Sequence, residues 1–211
     1  MKVVIMGVQG SGKGTQAKLL SKKYDVPHIS TGDMLRDEVS QESELGKKAK
    51  EIMNHGKLVP DDVLLGMLKN RIAQKDCGKG FILDGYPRNL TQARALDGFT
   101  TIDKAIVIEV SDREAIKRIA GRRSCSCEAV YHIFYNPPKH DQLCDKCQKP
   151  VIQREDDKEE IVAERVKVFH EKTEPILKFY EEKGILVRIA GEQSIEKVFE
   201  ELLRGASTKG F

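Results

Sequence analysis

Short apolar runs alternate with long amphipathic stretches along this chain. The runs are Val3–Met6, Phe81–Leu83, Ala105–Val110 and Ile185–Ile189, with a weaker one at Pro27–Ile29. Each is rich in β-branched or aromatic residues and has the length of a strand buried on both faces. Between them the pattern is helical. This order predicts an α/β fold, with a five-stranded parallel sheet flanked by helices on both faces. Two segments break the alternation. Residues 30–59 are helical and charged, with no strand. Residues 121–157 hold four of the five cysteines and the dipeptide Pro137-Pro138. Both read as inserts in one domain spanning 1–211, and the tail Gly205–Phe211 is expected to be loose.

Several helix starts are legible. Ser111-Asp112-Arg113-Glu114 reads as a capping box, and the helix it opens is expected to carry Arg118 and Arg122 on one face. Pro60-Asp61-Asp62 opens another, with Pro in the first turn and acids at the positive end. Asp156-Asp157 is expected to do the same for the helix containing Ile161, Val162, Arg165, Val166 and Phe169.

The 211 residues are 39% hydrophobic and 33% charged, with no Trp and a formal net charge of +3. That charge is too small to imply nucleic acid by itself, and no apolar run is long enough to span a membrane. The N-terminus has no signal pattern and runs straight into a strand, so a cytoplasmic location is expected. Five cysteines there are expected to be reduced or metal-bound.

The stretch GVQGSGKGTQ, Gly7 to Gln16, follows the first strand and precedes an amphipathic helix containing Ala17, Leu19 and Leu20. Such a loop turns backbone N–H groups onto a phosphate, and glycine allows the close approach and the positive φ values. The helix N-terminus and Lys13 add positive charge. The pattern G-x-x-x-x-G-K is met by Gly7, Gly12 and Lys13, but Gly14 stands where Ser or Thr is usual, with Thr15 after it. A direct hydroxyl ligand for Mg²⁺ is therefore in question.

GVQGSGKGTQ resembles the phosphate loop of adenylate kinases and close nucleoside monophosphate kinases. The resemblance covers nearly the whole chain and implies a P-loop NTPase-like fold with two mobile inserts. It implies ATP contacts at Gly10, Ser11, Gly12, Lys13, Gly14 and Thr15. STGDMLR, Ser30 to Arg36, resembles the start of the monophosphate subdomain; its Thr31 would touch the base and Arg36 the α-phosphate. GKLVPDD, Gly56 to Asp62, resembles the end of that subdomain, where Lys57, Leu58 and Val59 would line an adenine pocket. FILDGYPR ends a buried strand in Asp84, followed by Gly85, Tyr86, Pro87 and Arg88. Asp84 there is suited to Mg²⁺-bound water and Arg88 to a phosphate. The segment resembles the D-G-[FY]-P-R motif of the family, with Gln92 matching its adenine-reading Gln.

Arg118, Arg122, Arg123, Arg154 and Arg165 flank the second insert. Phosphoryl transfer is mostly positioning and cationic stabilisation, which such a set can supply. By resemblance, Arg122 contacts the triphosphate and Arg118 the adenine side, while Arg154 and Arg165 clamp the transferred and acceptor phosphates. Arg123 reads as a surface charge. VYHIFYNPPK resembles the family's long lid, placing Val130 and Tyr131 near the ATP adenine and ribose, with His132 ordering the lid. Gln193 matches a further adenine contact. Lid closure would keep water from the γ-phosphoryl group.

Cys125-x-Cys127 and Cys144-x-x-Cys147 suit tetrahedral Zn²⁺, although the first pair is one residue short of a zinc ribbon. His132 or Asp141 is an alternative ligand, and a disulfide or free thiols are alternative states. Some adenylate kinases carry a structural metal at matching positions. Cys77 stands alone and is expected to be inert. The resulting expectation is an ATP:AMP phosphotransferase with Mg²⁺ and a structural lid Zn²⁺, acting as a monomer on ATP, AMP and ADP, with no nucleic-acid or membrane partner. Two rivals remain: a kinase for UMP/CMP or GMP, and a zinc-ribbon nucleic-acid-binding protein. The second draws on Arg122, Arg123, Lys139, Lys146 and Lys149, but Glu128, Asp141 and Asp145 interrupt that basic stripe.

Overall fold

The computed structural model describes residues 1–207 apart from Glu128 and Asp141. Five strands form a parallel sheet: β1 (Lys2–Met6), β2 (His28–Ser30), β3 (Phe81–Asp84), β4 (Lys104–Glu109) and β7 (Leu186–Ala190), in the order β2-β3-β1-β4-β7. These are the five apolar runs. In register, Val3 lies opposite Ile82 and Lys104, which puts the C-terminal ends of all five strands along one edge. Phe81, Ile82, Leu83, Ile106 and Ile108 are almost wholly buried, each side chain stabilising by about 1.5–3 kcal/mol on burial.

Helices cover both faces, as parallel crossovers require. α1 (Lys13–Tyr24) and α9 (Ile195–Ser207) pack on one face through Ala17, Leu20, Val198 and Leu202. α4 (Asp61–Ile72), α5 (Leu90–Asp97) and α8 (Pro175–Glu182) cover the other through Leu64, Leu68, Leu96, Ile176 and Tyr180. Residues 30–59 form α2 (Thr31–Ser40) and α3 (Glu44–Asn54). Ser30 caps α2 by accepting from the Asp33 amide at 3.2 Å. After α6 (Asp112–Ala120), the second insert holds the antiparallel pair β5 (Arg122–Ser124) and β6 (Val130–His132), and α7 (Glu159–Val168) follows it. A π-helical turn, Phe169–Thr173, joins α7 to α8. No helix among the described residues is long and apolar enough to cross a membrane.

Several local expectations need correction. Arg118 and Arg122 do not share a helix face, because α6 ends at Ala120 and Arg122 begins β5. Ser111 does cap α6, accepting from the Glu114 amide at 3.4 Å. The return arm comes from Glu192, whose Oε1 accepts from the Ser111 amide at 2.7 Å, while Glu114 pairs with Arg118 instead. Pro60 is the cap of α4, one residue before its first turn. Asp156 and Asp157 lie in a 3₁₀ turn, Glu155–Asp157, and are buried against arginines; Lys158 caps α7. The tail is helical as far as Ser207, where α9 ends. Residues 208–211 and Asp141 lie outside the described residues.

Candidate active site

The glycine-rich loop leaves β1 at the C-terminal edge of the sheet. Gly7, Gly10 and Gly12 have φ of 147°, 90° and 89°, values that side chains rarely adopt. A Cβ on Gly7 would lie 2.6 Å from the Ile108 carbonyl oxygen, and one on Gly10 would run into the carbonyl of Ala115. The loop is thus seated tightly between β4 and α6. Ser11 is buried beneath it, its amide donating to the Val8 carbonyl at 3.1 Å. Gly12 caps α1 and Lys13 is its first residue. A Cβ on Gly14 would sit 3.3 Å from Asp84 Oδ2, so glycine here brings bare backbone up to that carboxylate. Thr15 is exposed.

Asp84 ends β3, the strand paired with β1, and lies opposite Ile5 just before the loop. Burial alone would raise its pKa. The hydrogen-bonded His28, whose Nε2 lies 3.4 Å from Oδ2, and the Lys13 ammonium outweigh this and hold it below the usual carboxylate range. Lys13 moves the other way, to about 8. Desolvation is the largest cause, and Arg88, Arg165 and Arg122 add repulsion that Asp84 only partly offsets. Arg88 falls to about 10 through burial and the nearby Arg165 guanidinium, and Arg154 to about 10 through burial, Arg36 and Arg122.

These mutual effects define one cluster: Lys13, Arg36, Arg88, Arg122, Arg154 and Arg165. Four carboxylates stand among them. Arg36 pairs with Asp33, Arg165 with Asp156, and Arg122 with Asp157 in a two-armed contact. Six cations against four acids leave two positive charges in excess. The Arg154 guanidinium has no hydrogen bond or ion pair among the described residues, although its carbonyl accepts from the Asp157 amide at 3.1 Å. A pocket so charged is poised for a polyanion.

Beside the cluster is a cleft lined by Thr31, Arg36, Lys57, Leu58, Val59, Arg88 and Arg165, among others. It lies between α2, the end of α3 and α7. Thr31 is buried, and its Oγ1 donates to the Gly85 carbonyl at 2.9 Å. Tyr86, Pro87 and Gln92 are not among its lining residues. The Tyr86 side chain is in the core, 1% exposed, and Pro87 is buried. Gln92 is also 1% exposed. Its Nε2 donates to Asp61 Oδ1 at 2.6 Å and its Oε1 accepts from the Arg88 amide at 2.7 Å. One N–H and one lone pair of the amide are not used by these two bonds.

On the far side of the cluster, Arg118 donates to Glu114 at 2.8 Å and to the Gly191 carbonyl at 3.0 Å. Gln193 donates to the Ala190 carbonyl and to Glu201, both at 3.0 Å. Arg123 bonds only nearby carbonyls. Val130 is exposed, whereas the Tyr131 side chain is buried. It lies in the second insert, accepting from the Asp145 amide at 2.8 Å and lying 3.4 Å from Cys144 Sγ. His132 Nδ1 accepts from the Phe134 and Tyr135 amides, both at 3.1 Å, which orders the loop.

The sulfurs of Cys125, Cys127, Cys144 and Cys147 all lie within 4.8 Å of one another. The separations are 3.3 Å for Cys125–Cys147 and 3.5 Å for Cys127–Cys144. That is too long for a disulfide bond of about 2.05 Å. It is close to the edge, about 3.8 Å, of a tetrahedron with metal–sulfur bonds of about 2.3 Å. The Tyr131 hydroxyl bond draws the Cys144 thiol down, whereas at Cys147 a lowering bond from the Lys149 backbone is outweighed by contacts with the other three sulfurs, which push that thiol up. The short C-x-C spacing therefore does not prevent a four-sulfur group, and His132 is not part of it. Cys77 is buried apart, against Arg71.

A profile of the family "Adenylate kinase" matches residues 5–185. The adenylate kinase of Archaeoglobus fulgidus is 52% identical over 208 residues, covering 96% of both chains. The chain belongs to the adenylate kinase family. The adenylate kinase of Caldicellulosiruptor saccharolyticus is 47% identical over 210 residues, covering 97% of this chain and 98% of its own. That of Methanosarcina barkeri is 49% identical over 207 residues, with 96% of each covered. This adenylate kinase family member is thus a nucleoside monophosphate kinase with the family's α/β fold.

Residues that no site motif marked also stand in or beside the cluster. His28 backs Asp84. Asp33, Asp156 and Asp157 neutralise arginines, although Asp156 and Asp157 read as ordinary helix-start acids. Thr173, buried in the π turn, donates to the Arg88 carbonyl at 2.9 Å. His170 in the same turn is braced by Glu174 at 2.8 Å and Asp112 at 2.9 Å. Thr173 thus ties the Arg88 loop to the helix pair that carries Arg165. Thr173→Val should lower turnover roughly two- to tenfold, the worth of one neutral hydrogen bond, while Thr173→Ser should retain it. Steady-state kinetics checks this; equal losses in both variants would mean that the hydroxyl is not what matters.

Proposed function

We propose that the kinase transfers the γ-phosphoryl group of ATP directly to AMP, giving two ADP. The observation that carries this reading is the convergence of six cations between the glycine-rich loop and the cleft beside residues 30–59. Gly10, Ser11, Gly12, Lys13, Gly14 and Thr15 hold the triphosphate, with Arg118, Arg122, backbone at Val130 and Tyr131, and backbone near Gln193 on its nucleoside side. Thr31, Arg36, Lys57, Leu58, Val59 and the Gly85–Arg88 loop hold AMP. Gln92, whose Oε1 also accepts from the Arg88 amide, reads the adenine. Arg88, Arg154 and Arg165 stabilise the charge that spreads over the moving phosphoryl group. The acceptor phosphate is already ionised, so no side chain acts as general base. Closure of residues 121–157 over the cleft keeps water out.

Mg²⁺ is the expected cofactor with ATP; when bound it would supply positive charge against the charge developing on the phosphoryl group. Asp84, ionised and facing Gly14, suits its water shell, and the absence of a hydroxyl at position 14 favours contact through water. Zn²⁺ in the four-sulfur group would staple residues 121–157, which have only a small core of Ala129, Tyr131, Val151 and the cysteines. The partners are ATP, AMP and ADP, handled by a cytoplasmic monomer.

The test compares AMP, UMP, CMP and GMP as acceptors, alongside Lys13→Ala and Arg88→Ala. AMP should be preferred, and each variant should lose about two or more orders of magnitude in turnover. Preference for a pyrimidine, or near-normal turnover in either variant, would overturn the assignment. Metal stripping should lower the melting temperature more than it lowers turnover by the remaining folded protein. A chelator without effect on melting, with no metal by elemental analysis, would remove the zinc claim.

A further inference from the structure

Gln9 lies inside the phosphate loop, yet its side chain bonds to a residue 148 positions away. Its Nε2 donates to Asp157 Oδ1 at 3.2 Å. Asp157 is fully buried. The same carboxylate receives both arms of Arg122, with Arg122 Nε 2.8 Å from Oδ2 and Nη2 on Oδ1. Gln153 donates to the Asp157 carbonyl at 3.3 Å. Asp157 closes the 3₁₀ turn at the root of the second insert. The loop under Gln9 has little room to shift, because a Cβ at Gly10 already meets Ala115. A rigid loop at the sheet edge therefore reaches the root of the lid through one amide.

The orientation of that amide is fixed by charge. Reversed, Oε1 would face a carboxylate and repel it. As it stands, Oε1 is buried with no partner among the described residues. A buried acceptor without a partner is destabilising, so the bond to Asp157 is what holds the amide in place. A residue kept only to fill space would not need a polar end there. The charged groups that meet Gln9 are Asp157 and, through it, Arg122.

We propose that Gln9 is a positioning residue. It holds the Asp157 carboxylate, and through it the Arg122 guanidinium, over the phosphate loop, so that Arg122 is in place when the triphosphate arrives. This rests on the reading of Arg122 as a triphosphate contact. It adds that the loop itself sets where that arginine stands.

The experiment compares Gln9→Met, which keeps the length but removes the donor, with Gln9→Glu, which sets a second carboxylate against Asp157. Gln9→Met should raise the KM for ATP about tenfold, with a smaller change in kcat and in the KM for AMP. Gln9→Glu should do more harm near pH 8 than near pH 6, because the introduced acid takes up a proton as pH falls and the repulsion is lost. A residue that only packs would give neither the KM split nor the pH profile. In an Asp157→Asn background the Gln9→Met penalty should vanish. An unchanged ATP KM in Gln9→Met, or a pH-independent Gln9→Glu penalty, overturns the proposal. So does an equal Gln9→Met penalty in both backgrounds. Arg122→Ala is the control. If it leaves the ATP KM unaltered, the reading of Arg122 fails and the proposal falls with it. If it raises the ATP KM while Gln9→Met does not, only the role of Gln9 falls.

Discussion

Six positive side chains crowd into one partly buried cleft, and like charges in a low-dielectric space repel. The protein tolerates them because Asp33, Asp84, Asp156 and Asp157 stand among them. The strain remains visible in Lys13 at about 8 and in Arg88 and Arg154 at about 10, all pulled down by burial and neighbouring guanidiniums. On the proposed reading, a triphosphate and a monophosphate supply the missing negative charge. Binding then relieves repulsion already present in the free protein.

The fold can be understood as the means of assembling that cluster. A parallel sheet delivers the loop after β1, Asp84 at the end of β3 and the Gly85–Arg88 turn to a single edge. Glycines at positive φ let the loop lie against β4 and α6. The remaining cations come from outside the sheet: Arg36 from α2, Arg122 from β5, Arg154 from the end of the second insert and Arg165 from α7. The cluster is therefore complete only when these elements stand over the sheet edge. On the proposed reading, this couples the chemistry to the position of both inserts.

Much of this was legible in the sequence. The sheet could be read because buried parallel strands are continuous apolar runs, and the loop because glycine and lysine spacing has one strong physical use. The four-sulfur group was legible from paired cysteines. What escaped was pairing across the chain. Asp156 and Asp157 looked like acids favouring a helix start, and only tertiary contact turns them toward Arg165 and Arg122. Arg118 and Arg122 have helical spacing, but α6 stops between them at Ala120. Tyr131 and Gln92 sit in motif positions while their side chains satisfy partners inside the protein. Gln9 carried no signal, since its partner lies 148 residues away.

The charge relief is most directly read as proton uptake. A Lys13 ammonium with pKa about 8 in the free protein is mostly neutral at about pH 9, and a bound triphosphate raises that pKa by opposing charge. Calorimetric titration with ATP in buffers of different ionisation enthalpy should show uptake approaching one proton at about pH 9. At about pH 6.5, where Lys13 is already charged, this uptake should be absent, and Lys13→Met should abolish it at the higher pH. Binding at about pH 9 with no proton uptake, or uptake unchanged in Lys13→Met, would contradict a cation cluster held under repulsion until nucleotide arrives.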